Sequence, residues 1–177
     1  MMRARKKGKR ILFLCLFLCF CLPAAAGCHG HKGLEPFVVP EDFDESKQYE
    51  ITFWAKNDTN KTQTRIYEQA IADFEELYPN ITVNLRLYTD NGRIYNDVIT
   101  NIATHTTPNV CITYPDHIAS YLTGVNLVVP LEGLAEDPQY GFGGSGLRYD
   151  GPGPDEVIPK FMEEGAFGGH AYALPYM

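Results

Sequence analysis

Three stretches of this 177-residue chain carry side chains suited to chemistry. Cys28-His29-Gly30-His31 sets a thiol beside two imidazoles, ligand types that soft metals take. Lys56-Asn57-Asp58-Thr59 places an ammonium, an amide, a carboxylate and a hydroxyl directly after an apolar run, and loops at the carboxyl ends of strands are where open α/β sheets bind ligands. Tyr114-Pro115-Asp116-His117 gathers an aromatic ring, a carboxylate and an imidazole within four residues. Signs of catalysis are thin, with no Gly-x-Ser-x-Gly elbow and no His-Glu-x-x-His pair. Carboxylates are plentiful, and a glycosidase needs only two of them correctly placed. Gly141, Gly143 and Gly146 form a G-x-G-x-x-G, but a dinucleotide fingerprint needs a strand before it and a helix after it. Here an acidic, Pro-containing segment precedes and Asp150-Gly151-Pro152-Gly153-Pro154 follows, so no cofactor is expected.

The amino terminus decides how the first stretch is read. Arg3 to Arg10 is basic, Ile11 to Leu22 is a twelve-residue apolar run, and Pro23 to Gly27 supplies small residues. That order marks a secretory signal peptide, and twelve residues are too few to span ~30 Å of hydrocarbon as a helix. Ala25-Ala26-Gly27-Cys28 resembles the bacterial lipoprotein box, in which cleavage precedes a cysteine that is diacylated on sulphur. Ala25 departs from the Leu common at its position but is small and apolar. The resemblance implies lipidation of Cys28, with palmitate-type chains, and a protein exported to the outer face of the cell membrane, since two acyl chains hold a soluble domain firmly. Cys15, Cys19 and Cys21 leave with the signal (1–27). Cys111 then stands alone in an apolar run, a buried small hydrophobe rather than a reactive thiol. Residues 28–48, rich in Gly, Pro and acids, read as a flexible tether, which cannot hold metal-ligand geometry, so no metal is expected.

Charge divides the same way. Six of the 15 Lys and Arg residues lie in 1–27, leaving nine against 22 Asp and Glu, a net of −13 for the rest. An acidic body without a basic stripe excludes a nucleic-acid partner.

The elements that position the other two stretches begin near Tyr49. Residues 49–55 form a strand, Lys56 to Lys61 a polar loop, and the 3–4 spacing of Ile66, Ala70, Ile71, Phe74, Leu77 and Tyr78 a helix capped by Thr62 or Thr64. Ile81 to Tyr88 alternates as a half-buried strand. Gly92 to Thr104 is a helix, Asn109 to Thr113 a buried strand, and 117–122 a short helix that Asp116 is placed to cap and Gly124 to close. Leu127 to Leu131 is extended, 155–164 a short helix with Val157, Ile158 and Phe161 inward, and Ala171 to Leu174 a strand. Strands alternating with helices predict an α/β fold with a mainly parallel sheet, whose loops 56–61, 88–93 and 114–117 meet on one edge. Sequons at Asn57, Asn60 and Asn80 match by spacing alone.

Taken together, ITFWA, the helix ending FEELYPNITV, TPNVCITYPDHIASYLTG, Pro130-Leu131-Glu132-Gly133-Leu134 and Gly169-His170-Ala171-Tyr172-Ala173-Leu174-Pro175 resemble an extracellular solute-binding protein of the carbohydrate class that serves ABC importers. The resemblance covers 49–177. It implies a periplasmic-binding-protein-like (type II) lobe that captures a small solute, a mono- or oligosaccharide, without catalysis, and delivers it to a membrane permease. Such proteins close two lobes on the ligand. Here the second lobe is absent, the chain reads as an amino-terminal fragment, and its own affinity is expected to be weak. The ligand-binding candidates that follow are Lys56, Asn57, Asp58, Thr59, Tyr114, Asp116 and His117, with Tyr88 and Asp90 behind them. Trp54 is either a core residue or a sugar platform. A surface-anchored carbohydrate hydrolase and a non-binding structural lipoprotein are the alternatives.

Overall fold

The computed structural model describes residues 38–57, 61–123 and 127–175. The signal segment, Cys28 to His31, Asp58, Thr59, Asn60 and Gly124 lie outside the described residues.

The first strand is central. β1 (Tyr49–Lys56) and β2 (Ile81–Tyr88) pair in parallel along their whole length, Tyr49 opposite Ile81 and Lys56 opposite Tyr88. β3 (Val110–Cys111) lies parallel on the other side of β1, opposite Phe53 and Trp54, giving the order β2-β1-β3. Helical crossovers make this arrangement: α1 (Lys61–Leu77) joins β1 to β2, and α2 (Asn91–Ile102) joins β2 to β3. The sheet is therefore parallel and flanked by helices, as the strand–helix alternation predicts.

A strand covered on both faces should be apolar on both, and β1 is. Trp54 is 6% exposed and Ala55 fully buried. On the Trp54 face the core joins Trp54, Tyr88, Ile94, Val98 and Tyr121. On the other, Phe53 meets Tyr67 of α1 edge to face at 5.8 Å. Tyr67 is the buried residue of α1, with Ile71, Phe74 and Tyr78 half-buried along the same +4, +3, +4 line. The expected inner face was one position off at its start: Ile66 is 61% exposed and Ala70 is also outside. One residue is about 100° of helix rotation, and the larger ring of Tyr67 fills the space against Phe53.

Several short elements differ from expectation. β3 has two residues instead of five, and just before it Asn109 reaches β1 through its side chain. Its Oδ1 accepts the N–H and the hydroxyl of Thr52 at 2.9 and 3.0 Å. The short helix α3 (Pro115–Tyr121) starts two residues early, with Pro115 in its first turn, where a missing N–H costs nothing. Tyr114 is its cap residue and no side chain caps it, so Asp116 lies inside the first turn and is not the cap. α4 (Glu132–Ala135) follows the extended 127–131. The expected helix 155–164 divides into a 3-10 turn (Pro154–Glu156) and α5 (Pro159–Glu164), because Pro159 cannot extend a helix begun before it. Ile158 and Phe161 are exposed rather than inward. The last strand does not run through 171–174. It is a hairpin, β4 (Ala166–Phe167) against β5 (His170–Ala171), turned by Gly168 and Gly169 with φ of +59° and +88°. Positive φ at both central residues suits a two-residue hairpin turn.

Asn80, one of the three sequon asparagines, is buried, and its Nδ2 donates to the Lys47 carbonyl at 3.1 Å. The Phe43 ring stacks on Tyr49 at 5.1 Å and the Lys47 carbonyl accepts from Asn80, so these residues of the expected tether lie against the lobe.

Candidate functional site

The carboxyl ends of the three parallel strands share one edge. The Asn57 N–H donates to the Tyr88 carbonyl at 2.8 Å and the Ile112 N–H to the Trp54 carbonyl at 2.9 Å, which draws the loops after β1, β2 and β3 together. Of the sequence candidates, Lys56, Asn57, Tyr114, Asp116 and His117 all stand along this edge. Asp58 and Thr59 lie outside the described residues.

Tyr114 is the exposed aromatic of the group, at 52%. Its ring meets His117 edge-on at 5.5 Å, and His117 in turn lies on Tyr95 at 4.4 Å. Tyr95 reaches Ser120 through its hydroxyl (3.2 Å) and Tyr121 through its ring (5.9 Å). A ladder of rings from α2 and α3 thus holds a wet aromatic face at the strand ends. Lys56, Asn91, Tyr114 and Pro115 line a groove of about 920 Å³, which continues along the open side of β3 past Val110 to Phe161 and Leu174. Asn91 Oδ1 and His117 Nδ1 are buried with no hydrogen-bond partner among the described residues. Asp116 is exposed beside them. This edge offers an aromatic face, a cation, a carboxylate and amide or imidazole groups, side chains able to contact a small polar, partly apolar molecule.

Trp54 belongs to the core, of its two readings. Arg86 lies over its ring at 4.9 Å and over Tyr88 at 4.6 Å, so neither aromatic offers a free face. Tyr88 is 7% exposed and its hydroxyl donates to Asp97 at 2.9 Å. Burial and that hydrogen bond raise its pKa well above the ordinary phenol range. Asp97 also pairs with Arg86 at 2.8 Å. Asp90 is occupied as the cap of α2, accepting the Arg93 N–H at 2.9 Å. Sequence reasoning missed Asn91 as a groove residue and Tyr95 as the support of His117. The signal was present in Thr89-Asp90-Asn91-Gly92, a polar cluster after a strand, with Tyr95 one helical turn beyond Asn91.

Cys111, at the open side of β3, is the free cysteine of the described residues. Burial pushes its thiol up to about 11. No described helix is long and apolar enough to cross a membrane.

No protein-family model matches the chain, and neither does any curated protein. The solved structures that share its architecture include two of known name. One is an extracellular solute-binding protein family 1 member from Alicyclobacillus acidocaldarius, 18% identical with a TM-score of 0.56, over 76% of this chain and 29% of that one. The other is the GacH receptor of Streptomyces glaucescens, a structure series that includes complexes with acarbose and an acarbose homolog. It is 18% identical with a TM-score of 0.53, over 72% of this chain and 29% of that one. The first is a solute-binding protein by name and the second a receptor, and this chain spans about 29% of the length of each. The parallel β2-β1-β3 sheet and its flanking helices therefore match part of the fold of an extracellular solute-binding protein.

Proposed function

We propose that this chain contributes one wall of a solute-binding site, in a lipid-anchored extracellular protein that captures a sugar and hands it to an ABC permease. The observation that carries the reading is Tyr114, an exposed ring at the carboxyl edge of a parallel sheet, braced by His117 and Tyr95 and facing the same groove as Lys56. A sugar presents a C–H face that stacks on such a ring and hydroxyls that bond Lys56, Asn57, Asp116 and His117, with Asp58 and Thr59 in the same loop. The acarbose complexes of one structural neighbour support a sugar as the ligand class. Two lobes closing by hinge motion would enclose it. For this lobe by itself the expected Kd is on the order of 1 mM, about −4 kcal/mol.

Incubation with an oligosaccharide panel, followed by product analysis and thermal shift, tests the reading. A ligand-dependent shift with intact sugar is expected, whereas turnover of any sugar would replace capture with hydrolysis. Cys28 is the proposed acylation site. Radiolabelled palmitate should enter the chain in a bacterial host and fail to enter Cys28→Ser.

A further inference from the structure

We infer that the glycine-rich loop 138–151 is a clasp that seats residues 43–47 at the amino-terminal pole of the sheet, so that the chain leaves toward its amino terminus from the end opposite the candidate ligand edge.

The loop first folds on itself. The Asp137 carboxylate accepts the N–H groups of Gln139 and Tyr140 at 2.9 and 2.8 Å. Gly141 N–H reaches the Asp137 carbonyl at 2.9 Å, and Gly146 N–H the Gln139 carbonyl at 2.8 Å. A Cβ at Gly141 would sit 2.5 Å from the Asp137 carbonyl oxygen, and one at Gly144 2.4 Å from that of Gln139, so these two glycines are required by close backbone approach.

Folding the loop in this way projects two side chains toward the segment before β1. Tyr140 Oη accepts the Phe43 N–H at 2.9 Å, a contact across 97 residues. Arg148 donates to the Leu77 carbonyl at the end of α1 (2.8 Å) and lies over the Tyr78 ring at 5.1 Å. Its backbone N–H donates to Tyr78 Oη at 2.9 Å, and its guanidinium pairs with Glu45. These contacts surround the first residues of β1 and β2, where the Tyr49 N–H donates to the Asn80 carbonyl at 2.8 Å. The ligand edge lies at the other end of β1, seven residue steps or roughly 23 Å away.

The consequence for orientation rests on the proposed acylation of Cys28. Fifteen residues separate Cys28 from Phe43 and reach at most about 50 Å fully extended. The clasp then sets the pole of the lobe from which the chain departs toward the proposed anchor. The clasp itself needs no lipid.

Amide hydrogen exchange of the full chain, read by mass spectrometry, tests it with the double variant Glu45→Gln, Tyr140→Phe. The pair removes the ion pair and the hydroxyl acceptor without touching α1. The expected result is at least about tenfold faster exchange in 43–47, unchanged exchange in β1 and α2, and earlier tryptic cleavage after Lys47. Exchange in 43–47 at the rate of an unstructured chain before mutation, or no change in the double variant, would overturn the clasp. Should β1 and α2 lose protection in the double variant, Tyr140→Phe alone is read by the same criteria. Neither ligand nor membrane enters the measurement, so its outcome is independent of the sugar-binding reading.

Discussion

His117 lies on Tyr95 with ring centroids 4.4 Å apart and 37° between planes, joining α3 to α2 directly beneath the exposed Tyr114. The contact ties the stability of the lobe to the shape of its candidate ligand edge. Tyr95→Ala removes the ring support and the Ser120 hydrogen bond, and should cost about 2–3 kcal/mol. Tyr95→Phe keeps the ring and should cost about 1 kcal/mol. Urea denaturation measures both. A loss below about 0.5 kcal/mol for Tyr95→Ala would mean that the ladder contributes nothing to holding α3.

Cys111 should be close to inert in the folded chain. With its pKa pushed to about 11 by burial, about one thiol in 1,000 is thiolate at pH 8, against roughly one in five in the unfolded chain. Alkylation followed by mass spectrometry of the Cys111 peptide separates it from the four amino-terminal cysteines. The rate should rise at least about 100-fold in denaturant. Because the folded pKa is raised, the associated stability is present below the unfolded value near 8.5–9 and is lost as pH climbs toward 11. Tyr121, raised by burial to about 12, adds a loss of the same sign at higher pH. Equal labelling rates in native and denatured chain would place the thiol in open solvent.

How far the fold was legible follows from the length of each element. β1 and β2 were placed within a residue because eight-residue runs repeat their pattern often enough to read. α1 was found, but its inner face was set one position off by counting Ile66 as apolar and overlooking the larger Tyr67. β3 and the final hairpin have two residues per strand. They are held by distant partners, Asn109 on Thr52 and the Leu131 N–H on the Ala171 carbonyl at 2.7 Å, and no local pattern encodes such contacts. At the candidate ligand edge the sequence supplied Tyr114 and His117. Only the fold supplied Tyr95 and Asn91 beside them, and only the fold covered Trp54 with Arg86.

The final hairpin should loosen in acid. Glu132 bonds His170 through one carboxylate oxygen and accepts the Ala171 N–H at 3.2 Å through the other. The His170 hydrogen bond is the main cause holding its pKa below the usual carboxylate range. A lowered folded pKa means stability present above the unfolded value near 4.3 and lost as pH falls through the folded one. The protection factor of the Ala171 amide, taken against the intrinsic exchange rate at each pH, should fall across that window, and Glu132→Gln should show a low protection factor already at pH 7. A protection factor that stays constant below pH 5 would detach Glu132 from the hairpin.

The open side of β3 should promote self-association. Val110 is 53% exposed on an edge strand, and Phe161 and Leu174 are exposed along the same groove. Apolar strand edges of this kind pair with other chains unless charged. Val110→Lys should shift sedimentation toward monomer at concentrations where the parent chain associates. A parent chain that stays monomeric throughout would show the edge to be harmless.

The most direct test of sugar capture at Tyr114 is saturation-transfer NMR of the full chain with a malto-oligosaccharide, repeated for Tyr114→Ala. The account predicts saturable transfer to the sugar ring protons with a Kd on the order of 1 mM. It predicts at least about tenfold weakening in Tyr114→Ala at unchanged stability, and no cleavage of the sugar. Transfer that is absent in the parent, identical in the variant, or accompanied by hydrolysis would contradict it.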